Sequence, residues 1–182
     1  MFAITGITGI IGNGNVMAGE IVHTAQYRFS TTWRIEAPLP AVWAAVRDAS
    51  DWPRWWKNVE RVVEIASGTG EGIGAVHRYT WKGVLPYRIV FDMHVTRIDP
   101  LVALEGEATG DVLGTGRWQF SNDGGATIVR YDWQIHTSRP WMNLLAPIAR
   151  PFFRWNHDAV MREGGESLAR LLNARLLGIE ET

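Results

Sequence analysis

Residues 127–177, TIVRYDWQIHTSRPWMNLLAPIARPFFRWNHDAVMREGGESLARLLNARLL, carry two periods one after the other. From Thr127 to Thr137 the residues alternate. Val129, Tyr131, Trp133 and Ile135 fall on one side, and Arg130, Asp132, Gln134 and His136 on the other. That is a β-strand with one apolar face and one face polar enough for water. After SRPWMNLLAPIARP the period becomes helical, from about Phe152 to Leu177. Phe153, Val160, Gly164, Leu168 and Leu171 form its stripe, with Gly164 expected to let the helix approach the sheet closely. Pro147 and Pro151 are expected to break or kink the entry to this helix. An apolar sheet face needs a cover and an apolar helix stripe needs a floor, so the two segments should pack on each other.

Upstream, the period of two recurs. Val59–Ser67, Ala75–Lys82, Tyr87–Ile98, Val102–Ala108 and Gly114–Ser121 all read as strands. In one of them Ile89, Phe91, Met93 and Val95 oppose Arg88, Asp92, His94 and Thr96. The turn signals GTGEG, KGVLP, DP, TGD and NDGG separate the strands, and connections this short force neighbours to run antiparallel. A further strand, Gln26–Ala37, is stopped by Pro38. LPAVWAAVRD then has helical spacing, with Leu39, Val42, Trp43 and Val46 on one face. A second short helix is expected over Trp52–Asn58, capped by Ser50 or Asp51, with Pro53 in its first turn. The result is an α+β chain: seven antiparallel strands, two short helices and a long C-terminal helix.

The N-terminus, MFAITGITGIIGNG, offers a competing reading. Its Thr5-Gly6-x-x-Gly9-x-x-Gly12 spacing resembles the dinucleotide fingerprint of short-chain dehydrogenases. Such a loop has meaning only inside a strand–loop–helix–strand unit. Asn13, Gly14, Asn15 and Gly19 oppose the helix that would have to follow, and no second parallel strand arrives. Residues 1–24 therefore read as an extended or poorly ordered leader, with Met17 an alternative start, and residues 25–178 as the folded domain. No NAD(P) site and no other cofactor is expected.

Composition narrows the function. A net charge of −1 gives no nucleic-acid surface. The absence of cysteine excludes disulfides, thiolate catalysis and cysteine-bound zinc. No apolar run reaches the roughly 18 residues of a membrane span, and no charged signal region precedes Arg28, so a cytoplasmic location is expected. The five histidines lack metal-ligand spacing, so no metal site is expected. No serine or other nucleophile sits beside a base in a readable motif. The ten tryptophans exceed what a core of this size needs and point to an aromatic cavity or an apolar binding surface.

Four features carry a resemblance: I-x-A-P-x-x-x-V-W at Ile35–Trp43, DWPRWW at Asp51–Trp56, the glycine-bounded third strand, and SRPWMNLLAPIARPFFRWNHD at 138–158. With the element order, they make residues 27–172 resemble the START-like (SRPBCC) superfamily, in its polyketide cyclase/dehydrase and lipid transport group. The resemblance implies a helix-grip (START/Bet v 1-like) fold, in which a curved sheet wraps the C-terminal helix around a deep apolar cavity. It implies a hydrophobic small-molecule ligand, aromatic or polyketide-like. Candidate lining residues are Tyr79, Trp81, Phe91, Met93, Trp118, Phe120, Tyr131 and Trp133 from the strands, with Phe153, Asn156, His157 and Val160 from the helix.

His157 falls where the helix stripe would continue, so its imidazole is the candidate general acid/base of a cofactor-free cyclase or dehydratase. The competing reading is structural, with His157 or an Asn156–Asp158 pair tethering the helix to a loop. His77 shares a face with Tyr79 and Trp81 and is the other histidine of interest. Arg154 and Asp158, four apart, are spaced for a helix-face ion pair. PWMNLLAPIARPFF reads as a lid or as the first turns of the covering helix, ahead of contact with a membrane interface. A lipid or quinone carrier working at a membrane surface is the third functional alternative. Oligomeric state is not readable from these features.

Overall fold

The computed structural model describes residues 26–84, 86–137 and 140–182. The leader and its glycine pattern lie outside the described residues. Strand β1 (Gln26–Ile35) leads into helix α1 (Leu39–Arg47), a 3-10 turn (Ala49–Asp51) and the one-turn helix α2 (Trp52–Trp55). Strands β2 (Val59–Ala66), β3 (Val76–Lys82), β4 (Arg88–Asp99), β5 (Ala103–Gly110), β6 (Val112–Asp123) and β7 (Ala126–Thr137) follow. Helix α3 (Pro140–Leu171) and strand β8 (Leu176–Glu181) complete the chain. One sheet holds all the strands in the order β2-β3-β4-β5-β6-β7-β1-β8, so β1 bridges the meander and the C-terminal strand. Every pairing is antiparallel.

The sheet thus has eight strands, where the sequence predicts seven. The eighth arises because α3 stops at Leu171, short of the expected Leu177. Asn173 takes a left-handed φ of 51°. Its N–H reaches the Arg170 carbonyl at 3.1 Å and the Ala174 N–H reaches Ala169 at 2.9 Å, the paired bonds of a Schellman cap. The chain then turns back along β1, where Ser30 and Thr182 exchange backbone hydrogen bonds of 2.9 Å. Arg175 adds a two-pronged bond to Glu36. At its other end α3 begins at Pro140 and continues without a break through Pro147 and Pro151, both expected to break or kink its entry. Each proline removes one ladder bond, yet its fixed φ is already helical.

Helix α1 buries Val42, Trp43 and Val46, as its spacing requires. Helix α2 is shorter than predicted and carries no side-chain cap; the Asp51 carboxylate instead accepts from Arg54 at 2.7 Å. Gly164 also needs a correction. A Cβ there would collide with the indole of Trp56, which closes α2, so its close approach is to Trp56. The next glycine is the one that meets the sheet: a Cβ at Gly165 would lie 3.0 Å from the Trp33 ring of β1. Trp33, Trp56 and Leu168 are almost wholly buried and anchor this end of the core.

Candidate functional site

The inner faces of β3, β4, β6 and β7 present aromatic side chains at alternate positions. Tyr79 stacks on Phe91 with centroids 5.4 Å apart, and Trp118 stacks on Tyr131 at 4.1 Å. Against these rings lie two adjoining cavities, the smaller under α3 and the larger under Val46, Ala49 and Trp52 of the α1–α2 segment. One, of about 130 Å³, lies under Phe153, Asn156, His157, Val160 and Met161. The other, of about 410 Å³, opens toward the β2–β3 turn at Ser67–Gly72. Trp81, Phe91 and Tyr131 line both and form the wall between them.

Glycine makes room for the larger cavity. Gly106 and Gly116 are direct cross-strand partners on β5 and β6. A Cβ on Gly106 would stand 2.6 Å from the Met93 sulfur, and one on Gly116 would stand 2.9 Å from the Tyr131 hydroxyl oxygen. Burial pushes the Tyr79 phenol well above its usual range, and burial with the neighbouring Tyr79 does the same to Tyr131. Both phenols therefore stay protonated at neutral pH as hydrogen-bond donors.

The structure distributes the sequence-predicted residues unevenly. Trp133, Phe153, Asn156, His157 and Val160 border the smaller cavity, and Tyr79, Met93 and Trp118 the larger. Phe120 borders neither; it packs edge-on against Trp43 of α1 at 5.0 Å. Tyr27, Phe29 and Tyr87 line the smaller cavity and were not singled out in the sequence. Tyr27 and Phe29 had a readable signal, since they share with Trp33 the inward alternation of β1.

Asn156 has a tethering geometry. Its Oδ1 accepts the Val84 N–H at 2.7 Å, holding α3 to the β3–β4 loop. Gly83 permits this, because a Cβ there would collide with the Asn156 amide. His157 stacks on Phe29 at 4.2 Å and 13°, and its side chain is only 13% exposed. Its Nδ1 lies 3.4 Å from Asp158 Oδ1. Its Nε2 is buried with no hydrogen-bond partner among the described residues. The expected Arg154–Asp158 pair is absent among the described residues, as Asp158 faces His157 instead.

His77 borders the larger cavity, with Nε2 3.9 Å from Glu64. No group of side chains fit to hold a metal ion occurs among the described residues. Most side chains of the PWMNLLAPIARPFF stretch lie outside the described residues; at its end Phe153 is buried and Phe152 is 58% exposed. No helix of the described residues is long and apolar enough to cross a membrane.

No curated protein matches the chain by sequence. Solved structures match its fold. TTHA0849 from Thermus thermophilus superposes with a TM-score of 0.65 at 17% identity, over 80% of this chain and 99% of that one. A START superfamily protein from Mycobacterium smegmatis gives 0.66 at 13%, over 81% and 98%. The Zhui aromatase/cyclase from Streptomyces sp. R1128 gives 0.64 at 13%, over 82% and 94%. At such identities these likenesses establish the helix-grip fold alone. The family described as "Polyketide cyclase / dehydrase and lipid transport" matches residues 26–173, from β1 to the cap of α3, and the chain belongs to that family.

Proposed function

We propose that this protein binds a hydrophobic, aromatic or polyketide-like small molecule between the sheet and α3. The observation that carries this reading is the aromatic-walled cavity under α3, joined at Trp81, Phe91 and Tyr131 to a second of about 410 Å³ under α1 and α2, a volume within the range of small-molecule sites. Family membership supports it, since the family's description joins polyketide chemistry to lipid transport. An environment-sensitive hydrophobic dye is expected to bind stoichiometrically and to quench tryptophan emission. Trp133→Ala should weaken that binding. A variant that melts lower but keeps the dye affinity would instead mark Trp133 as core packing. Native mass spectrometry of protein purified from its own host is the direct search for the ligand.

A second reading, a cofactor-free cyclase or dehydratase, rests on the polar groups that border the cavities. His157 would take a proton from an activated carbon, and the Tyr79 or Tyr131 phenol would donate to the oxygen of the resulting enolate before water leaves. His157→Ala should then abolish turnover and leave dye binding intact. In a carrier the same change has no turnover to remove.

A further inference from the structure

The smaller cavity is apolar on nearly every side, and two buried nitrogens at its lining have no partner among the described residues: Trp81 Nε1, which can only donate, and His157 Nε2. Tyr27, Phe29, Ile89, Val112, Trp133 and Ile135 furnish its walls. Into this surround His157 presents an Nε2 that is inaccessible to solvent and has no partner among the described residues. Leaving such a group unsatisfied is costly, and a ligand that supplies its partner removes that cost. The ring is held in place, stacked 4.2 Å from Phe29. Its other nitrogen faces the Asp158 carboxylate at 3.4 Å. A carboxylate can only accept, so the proton belongs on Nδ1, and Nε2 of the neutral ring offers a lone pair.

The other polar side chain from α3 at this cavity already has work to do. Asn156 directs its Oδ1 at the Val84 N–H, away from a ligand-recognition role. The cavity is therefore largely apolar, with the His157 Nε2 lone pair as an acceptor at a fixed position alongside the lining tyrosines and the Trp81 N–H.

Resting on the binding reading above, we infer that the ligand carries a hydroxyl group on its apolar ring or chain, and that this hydroxyl donates to His157 Nε2. A phenol, an enol or an alcohol fits this requirement. A hydrocarbon, an ether or a ketone brings no proton and leaves Nε2 unsatisfied. The cavity thus selects hydroxylated apolar molecules over their deoxy and O-methyl counterparts.

The test compares naphthalene, 2-methoxynaphthalene and 2-naphthol as displacers of the hydrophobic dye, on the full chain and on His157→Leu. In the wild type, 2-naphthol should bind about tenfold more tightly than 2-methoxynaphthalene, the effect of one well-placed hydrogen bond. In His157→Leu that preference should disappear while naphthalene binds as before. Equal affinities in the wild type, or a preference that survives in His157→Leu, would overturn the inference. If none of the three displaces the dye, the binding reading itself fails.

A measurement on the wild type is independent of whether the variant folds. A long-range proton–nitrogen correlation spectrum should place the His157 proton on Nδ1. The Nε2 resonance should move on addition of 2-naphthol and stay fixed with naphthalene. A proton found on Nε2 in the free protein at neutral pH would refute the assignment.

Discussion

From Phe153 to Met161 helix α3 stands over open space, whereas from Gly164 to Ala169 it lies against solid core. The floor is the same sheet in both halves, and glycine on the helix is what lets the second half close onto the core. In the C-terminal half the glycines are on the helix, and the indoles of Trp56 and Trp33 fill the room they leave. On the floor of the larger cavity, which the α1–α2 segment covers, they are on the strands, at the facing pair Gly106 and Gly116, where the room stays empty. Val160 marks the boundary. Its side chain borders the smaller cavity, while its carbonyl accepts the Trp56 Nε1–H at 3.1 Å. One half of the helix is thus an anchor, and the other roofs the smaller cavity.

The contrast breaks most visibly at Gly164. Gly164→Val places a branched side chain in the space of Trp56, which is 1% exposed and has nowhere to withdraw. Overpacking of this kind should cost about 3 kcal/mol. For a domain of this size that is a fall of roughly 6–12 °C in melting temperature. An unchanged melting temperature would show that the anchor half is softer than its contacts imply.

Gly116→Val should behave in the opposite sense. The added methyls meet the Tyr131 hydroxyl and the edge of Trp133, both of which border a cavity and have room to yield. Stability should change by no more than about 1 kcal/mol, helped by valine's preference for strands. Dye affinity should fall about tenfold, because the new side chain and the displaced rings occupy ligand space. Retained affinity would move the site away from the larger cavity.

The same contrast explains what could be read from the sequence. The strands were legible because alternation and turn chemistry are local. The limits of α3 were not, since Pro147 and Pro151 read as a break or kink at its entry and LLNARLL continued an apolar pattern that Asn173 in fact ends. At the site, alternation identified the inward aromatics but could not say which of them border empty space. Trp118 and Phe120 sit two apart on one face, yet only Trp118 meets a cavity, because α1 brings Trp43 onto Phe120. The Gly106–Gly116 pair becomes visible only once the β5–β6 register is known. The tether from Asn156 to Val84 joins residues 72 positions apart, and no local pattern announces it.

The smallest effect concerns how the anchor half is held, and it depends on pH. Glu163, one position before Gly164, is paired with Lys57 at 2.8 Å and Arg170 at 3.0 Å, and it accepts from Ser167 at 3.1 Å. Partial burial pushes its carboxyl up, but the bonds from Lys57 and Ser167 and the nearby cations outweigh this and hold it below the usual carboxylate value. A folded pKa below the unfolded one means stabilisation that is present above the unfolded value and is lost as pH falls through the folded value. Glu163→Gln should therefore cost about 0.5 kcal/mol at pH 7, the scale of a screened ion pair, and nothing near pH 3. Chemical denaturation of both proteins at the two pH values provides the comparison. Dye affinity should be the same in both proteins at pH 7, because Glu163 borders neither cavity. A loss of stability that persists at pH 3 would mean that Glu163 holds the helix through packing of its side chain, with its charge contributing little.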